Sequence, residues 1–260
     1  MPEQNDVRNF YKTDEFLIKN PSLYEEDSPW KISKITPLVD RFASYLDKSR
    51  INVLDVGGGV GLILSAISSY IEKRYHIGVN KYALDLSPGA LKRQSERNPD
   101  LKKILNEDIG TTSLGDKEVD LALLIDVLEH VPDPVKALDE IRRISNFVIL
   151  KVPLEDSLIG NILNFIKHGE PRRQIIQTDG HINIYTYGRI KNLIQKYTGQ
   201  ILDNRFTNIG KYFLTSEDYK GRQSKTTRLL AKGAVLAHKF SPRLAAFIFS
   251  DHAIFLVKCR

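Results

Sequence analysis

Cysteine is almost missing from this chain: Cys259 stands alone among 260 residues. That excludes an intrachain disulfide and a thiolate metal cluster. Long apolar runs are missing too. No stretch of about 18 consecutive apolar residues occurs, so no bilayer-spanning helix is expected. The opening MPEQNDVRNFYKTDEF is polar and lacks the apolar core of a secretory signal, which makes the cytoplasm the expected compartment. There is no G-x-S-x-G elbow, no G-x-x-x-x-G-K-[ST] loop and no H-E-x-x-H pair. Hydrolase, P-loop and zinc-protease chemistry therefore find little support. Histidines and acids fall at no recognisable ligand spacing, so no metal is expected.

What is present fits one large α/β unit with insertions: 42% hydrophobic and 27% charged residues. The net charge of +6 conceals an asymmetry. Residues 1–150 hold 20 Lys and Arg against 24 Asp and Glu, whereas residues 151–260 hold 18 against 8. A basic half of this kind suits an anionic small substrate, an anionic lipid surface or a nucleic acid. Nucleic acid is not expected, because no binding module is recognisable.

The densest signal is VLDVGGGVG, residues 53–61, followed by LILSAISSYIEK. An apolar strand runs into Gly57, Gly58, Gly59 and Gly61, and a helix follows. Such a loop lets the backbone approach a ligand, with the free N–H groups of a helix N-terminus behind it. A dinucleotide fingerprint G-x-G-x-x-G begun at Gly57 and Gly59 fails at Leu62. Asp-x-Gly-x-Gly-x-Gly fits instead, using Asp55. A carboxylate there repels a pyrophosphate and attracts an ammonium or sulfonium.

With that motif the chain resembles the class I S-adenosylmethionine-dependent methyltransferases, and three later segments agree. In YALDLSPGALKRQSER, residues 82–97, an apolar strand ends in Asp85 and Leu86, and Ser87-Pro88 opens a helix as cap and first helical residue. Asp85 stands where the second strand of a nucleotide-binding unit presents an acid to ribose hydroxyls. In KKILNEDIG, residues 102–110, the resemblance implies that Asp108 meets the adenine amino group with Ile109 against the ring. In VDLALLIDVLEHVPDPVKALDEIRRIS, residues 119–145, a strand buried on both faces ends at Asp126. The phrase DVLEHVPDP resembles quinone-biosynthesis and other small-molecule or lipid-precursor methyltransferases, and it implies that Asp126 lies beside the donor's methionine end.

The resemblance and the strand–helix alternation together imply a Rossmann-like, doubly wound α/β fold with a seven-stranded, mostly parallel sheet and helices on both faces. Residues 1–45 are expected to form an N-terminal helical lid, and 46–260 the S-adenosylmethionine-binding domain with inserted helices at about 154–178 and 223–250. In the lid, Ser28-Pro29 reads as a helix start, and Tyr24, Trp30 and Lys31 are candidates to cover the donor pocket. Residues 226–258 read as two helices divided by Pro242, then a strand, HAIFLVKC, that closes the sheet. Their mixture of basic and apolar residues admits peripheral contact with an anionic membrane.

Methyl transfer from a sulfonium depends mainly on positioning and desolvation, and a base is needed only when the acceptor must lose a proton. His130 and His181 are the candidate bases. The reading at this point is a methyltransferase acting on a small molecule or a lipid-linked or saccharide precursor. A non-catalytic cofactor-binding module and a nicotinamide oxidoreductase are the alternatives. The composition sets no oligomeric state.

Overall fold

The structure is a computed structural model that describes residues 4–23, 25–219 and 224–260. In chain order it contains α1 (Gln4–Lys12), α2 (Glu15–Lys19), α3 (Ser28–Ala43), β1 (Arg50–Val56), α4 (Leu62–Tyr75), β2 (Gly78–Leu84), α5 (Pro88–Arg97), β3 (Lys103–Leu105), β4 (Val119–Ile125), α6 (Pro134–Ile144) and β5 (Ser145–Leu154). There follow α7 (Leu158–Ile166), α8 (Glu170–Thr178), α9 (Tyr187–Tyr197), β6 (Gly199–Phe206), α10 (Ile209–Thr215), α11 (Lys225–Phe240), α12 (Pro242–Phe249) and β7 (Asp251–Cys259).

Local chemistry explains several boundaries. Ser87 Oγ accepts from Ala90 N at 2.9 Å and starts α5, while Asp133 Oδ1 accepts from Lys136 N at 3.0 Å and starts α6. In both helices proline occupies the first turn, where its missing N–H costs nothing. All seven residues of β4 are buried, as its unbroken apolar run requires.

The strands form one sheet in the order β3-β2-β1-β4-β5-β7-β6, with only β7 antiparallel to its neighbours. Apolar side chains of alternating register build a core on each face. Leu54, Val56 and Leu124 pack with α6 and α9 on one side, and Val53, Leu121 and Leu123 with α3 and α4 on the other. Strand order reverses between β1 and β4, so the carboxyl ends of the parallel strands frame a crevice there.

Two details differ from the sequence reading. The last strand does not close the sheet: β7 lies between β5 and β6, and β6 is the edge. Residues 199–206 form a strand that the sequence pattern does not signal, because Gln200, Asp203, Asn204 and Arg205 leave it half-buried and interrupt its apolar alternation. Among the described residues no helix is long and apolar enough to cross a membrane.

Candidate active site

At the end of β1, Asp55 is 1% exposed and its Oδ2 has no hydrogen-bond partner. Burial, then the charge of Asp85, pushes this carboxyl up to about 8. The glycines divide their work. A Cβ on Gly58 would lie 2.0 Å from Asp55 Oδ2 and 2.6 Å from Gln94 Nε2, so only glycine fits over the carboxylate. Gly61 holds φ +75° as the cap residue of α4 and packs against Gln94 and Asn98. It therefore supports the loop from behind, whereas Gly57, Gly58 and Gly59 line the cavity. Gly58→Ala should displace the Asp55 carboxyl, at about 1–3 kcal/mol of overpacking. The expected result is a lower melting temperature and a weakening of S-adenosylhomocysteine binding by about tenfold or more, measured by calorimetry.

At the end of β2, Asp85 accepts a hydrogen bond from Ser87 N at 2.9 Å. Burial outweighs that bond and raises its carboxyl to about 6. Asn106 Nδ2 donates to the carbonyls of Asp85 and Leu86 at 3.0 and 2.9 Å, fixing the turn. The N-terminal helices reach this edge. Asp14 accepts from Ser87 Oγ and from Gly89 N, and Arg8 Nε donates to Asp108 Oδ2 at 2.7 Å. Asp108 Oδ1 accepts from Gly110 N at 2.8 Å, and Ile109 is buried beside it.

At the end of β4, Asp126 adopts φ +58°, a left-handed conformation uncommon for a non-glycine residue and frequent at functional sites. Its carboxylate accepts from Lys151 Nζ, 2.6 Å to Oδ2, and pairs with Lys31 Nζ at 3.0 Å. Although burial opposes charge, the two lysines hold Asp126 well below the usual carboxylate range. Lys31 also pairs with Asp27 at 3.0 Å. Trp30 stacks on Tyr212 of α10, with centroids 4.4 Å apart and planes at 22°. Lys151 Nζ lies 5.7 Å from the Trp30 ring centroid. Trp30 and Lys31 thus form part of the wall; Tyr24 lies outside the described residues.

His130 and His181, far apart in the chain, come together because residues 182–185 dock on the loop after β4. Ile182 N and Asn183 N both donate to Glu129 O at 2.9 Å, and the Tyr185 hydroxyl donates to Leu128 O at 3.2 Å. The two imidazole centroids are 4.9 Å apart. His181 Nδ1 is 2.8 Å from Glu155 Oε1, so Nδ1 carries the proton, and in the neutral ring Nε2 keeps a lone pair. Burial works against protonation of His181, but Glu155 prevails and raises its pKa above 6.5. His130 Nδ1 contacts Gly180 O at 3.2 Å and the Tyr11 hydroxyl at 2.9 Å. Burial, then His181, lowers the pKa of His130 to about 3, so it is neutral. Glu129 is fully buried, neither carboxylate oxygen has a partner, and burial and Asp126 raise it to about 8. One ligand atom from each of Glu129, His130 and His181 lies within 4.8 Å of the other two, a set of donors suited to a divalent transition metal.

A cavity of about 460 Å³ joins these groups. Asp55, Gly57, Gly58, Gly59, Asp85, Leu86, Asp108, Ile109, Asp126, His130 and His181 all line it; of the anticipated site residues Gly61 alone does not. Asp27, Glu129, Glu155, Tyr212 and His252 also line it and were not anticipated, and Lys151 stands behind Asp126. One signal for Lys151 was available, a lone lysine inside the otherwise apolar run NFVILKVP.

Residues 54–146 match a family model described as a methyltransferase domain. No curated protein matches the chain. Similar solved structures include the [4+2]-cyclase SpnF, 13% identical with a TM-score of 0.53, the match covering 86% of this chain and 80% of that one. Geranyl diphosphate C-methyltransferase from Streptomyces coelicolor A3(2), in complex with Mg2+, geranyl diphosphate and S-adenosyl-L-homocysteine, is 10% identical with a TM-score of 0.55, covering 86% and 79%. Phosphoethanolamine N-methyltransferase 2 from Haemonchus contortus, in complex with phosphomonomethylethanolamine and S-adenosylhomocysteine, is 15% identical with a TM-score of 0.55, covering 88% of this chain and 53% of that one. At such identities the likeness is one of fold, and a cyclase shares it, so the family match over 54–146 carries the assignment. Residues 54–146 therefore carry a methyltransferase domain, set in a sheet whose fold the solved structures share.

Proposed function

We propose that this protein methylates an oxygen, nitrogen or carbon atom of a small-molecule or lipid-linked acceptor. The observation that supports this reading best is the continuous cavity, with Asp55, Asp85 and Asp108 toward one side of the sheet and Glu155 and His181 beyond Asp126. The residues fit the donor. A buried carboxylate oxygen without a partner, as in Asp55, calls for a donor group or a cation. Gly58 lies directly over that carboxylate without a side chain to displace it, and Asp85 lines the same cavity.

When bound, S-adenosylmethionine supplies an electrophilic methyl group on a positive sulfur. The chain's own residues do the rest. Asp55 and the glycine loop hold the methionine end, Asp85 the ribose, and Asp108 with Ile109 the adenine. Lys31 and Lys151 keep Asp126 ionised as a fixed charge. Trp30, Tyr212 and Phe213 wall the cavity and exclude water. His181, held by Glu155 through Nδ1, keeps Nε2 to accept a proton from an acceptor that must lose one.

Calorimetric titration with S-adenosylmethionine, S-adenosylhomocysteine and NADH in parallel tests the donor assignment. Binding of the first two without the third is expected; binding of NADH alone overturns it. A second reading is favoured by the Glu129, His130 and His181 cluster: a divalent metal ion held there would activate the acceptor in place of a base.

A further inference from the structure

The basic C-terminal half carries a second feature that the donor site does not use. Helices α7, α11 and α12 pack beside one another, α12 touching both of the others, and their outward faces expose large apolar side chains. Phe165 on α7 is 84% exposed, Phe240 on α11 81% and Phe247 on α12 60%. Ile166, Leu229 and Leu236 are likewise exposed. Isolated exposed apolar residues need no explanation, but a group of them spread over three adjoining helices does.

The charge beside them has one sign. Lys225, Lys232 and Lys239 recur at seven-residue spacing on α11 and so share one side of that helix. Leu229, Leu236 and Phe240 flank them on the same exposed face. From residue 220 to residue 250 there is no Asp or Glu, and none occurs in α7. A second copy of this chain seated here about a twofold axis would set these lysines against one another. An anionic surface would instead complement them while the aromatic rings entered its apolar boundary.

We propose that the α7–α11–α12 face rests on the surface of an anionic lipid bilayer. No helix among the described residues is long and apolar enough to cross it, so the contact is peripheral. Helix α10 connects this face to the active site. Ile209, Tyr212 and Phe213 line the cavity, while Gly210 packs on Ala231 and Ala234 of α11, where a Cβ would come within 3.0 Å of both. The docked face is therefore one helix away from the cavity. If the methyltransferase reading above holds, the acceptor it favours is one presented at that surface, a molecule with a lipid tail and an anionic or polar head.

Co-sedimentation of the full chain with vesicles tests the docking without any donor or acceptor. Binding to mixed phosphatidylcholine–phosphatidylglycerol vesicles is expected to be about tenfold or more tighter than to phosphatidylcholine alone, and to fall as salt screens the lysines. Lys232→Ala and Lys239→Ala should each weaken it about fivefold. Phe240→Ser with Phe247→Ser should weaken it further, while these variants keep the parent's affinity for S-adenosylhomocysteine, which shows that they fold and tests the donor site separately. Absence of vesicle binding, equal binding to both vesicle types, or binding unchanged in the variants would overturn the proposal. So would a dimer in light scattering that Phe240→Ser with Phe247→Ser converts to a monomer, since the face would then meet a second copy.

Discussion

Asp85→Ala is expected to weaken S-adenosylhomocysteine binding by about 100-fold or more. Two ribose hydroxyls donating to one carboxylate make two charge-assisted hydrogen bonds. Each contributes about 1.5–3 kcal/mol, and about 1.4 kcal/mol corresponds to tenfold. The surroundings of Asp85 sharpen the expectation. Burial raises its carboxyl to about 6, so near neutral pH it is largely ionised, with no cation paired to it among the described residues. Hydroxyl donors arriving with the ligand relieve that cost, and the raised pKa should fall on binding. S-adenosylhomocysteine affinity should accordingly drop as the solution is acidified through about 6, and this pH dependence should vanish in Asp85→Ala. Asp85→Asn keeps the shape and loses the charge, so its affinity should fall between those of the parent and the alanine variant. Unchanged binding in Asp85→Ala would remove the ribose assignment and leave the carboxylate with a purely local task, capping the turn through Ser87 N.

How much of this was legible beforehand differs by element, and the difference is physical. The parallel strands with their loops, β1 to Gly61 and β4 to Asp126, were readable because a strand buried on both faces is continuously apolar and an acid at its carboxyl end interrupts that run. The caps at Ser87 and Asp133 were readable because Ser-Pro and Asp-Pro carry their mechanism locally. Edge strand β6 was missed because one side of its ladder is open and its polar residues hide the period. Glu129 and Glu155 had no local signature. Their importance arises from the docking of residues 180–185 on the loop after β4, which carries His181 to within a ring's width of His130 and brings Glu155 onto His181 Nδ1. No window of sequence shows that contact. The charge asymmetry between the halves was visible as a number, but only the fold shows that α7, α11 and α12 gather the apolar residues beside that charge.

The N-terminal segment belongs to the same lesson. Its candidate lid residues were sought around Trp30, and Trp30 and Lys31 do line the cavity. The further grip on the site comes from α1 and α2, whose Arg8, Tyr11 and Asp14 reach Asp108, His130 and Ser87. These three contacts touch the loops after β3 and β4 and the cap of α5 in turn, so the segment spans the cavity from one side to the other.

His181→Ala is expected to lower kcat by about 100- to 10,000-fold for an acceptor that loses a proton, the usual contribution of a positioned base. S-adenosylhomocysteine affinity should change little, which separates a proton-transfer role from collapse of the site. The pH profile distinguishes this role from a structural one. Glu155 raises the pKa of His181 above 6.5, so the charged form is favoured below that raised value and the neutral form, which alone has the Nε2 lone pair, gains population as pH rises through it. Activity should therefore climb on an acid limb centred above 6.5. The His181–Glu155 ion pair also stabilises the fold at the acid end of the same window, and that contribution fades as pH rises, so stability and activity run in opposite directions across it. Glu155→Gln removes the charge that raises the pKa, so the limb should move to lower pH, while the amide oxygen can still accept from Nδ1 and keep the ring oriented. The metal reading predicts otherwise. A divalent ion on Glu129, His130 and His181 would tie up the same lone pair, so chelator treatment would abolish turnover, and Glu129→Gln would lower metal content and activity together. Turnover that survives the chelator with an acid limb that follows Glu155 assigns the proton to His181. Turnover lost to the chelator and restored by Mn2+ or Zn2+ assigns the step to the metal.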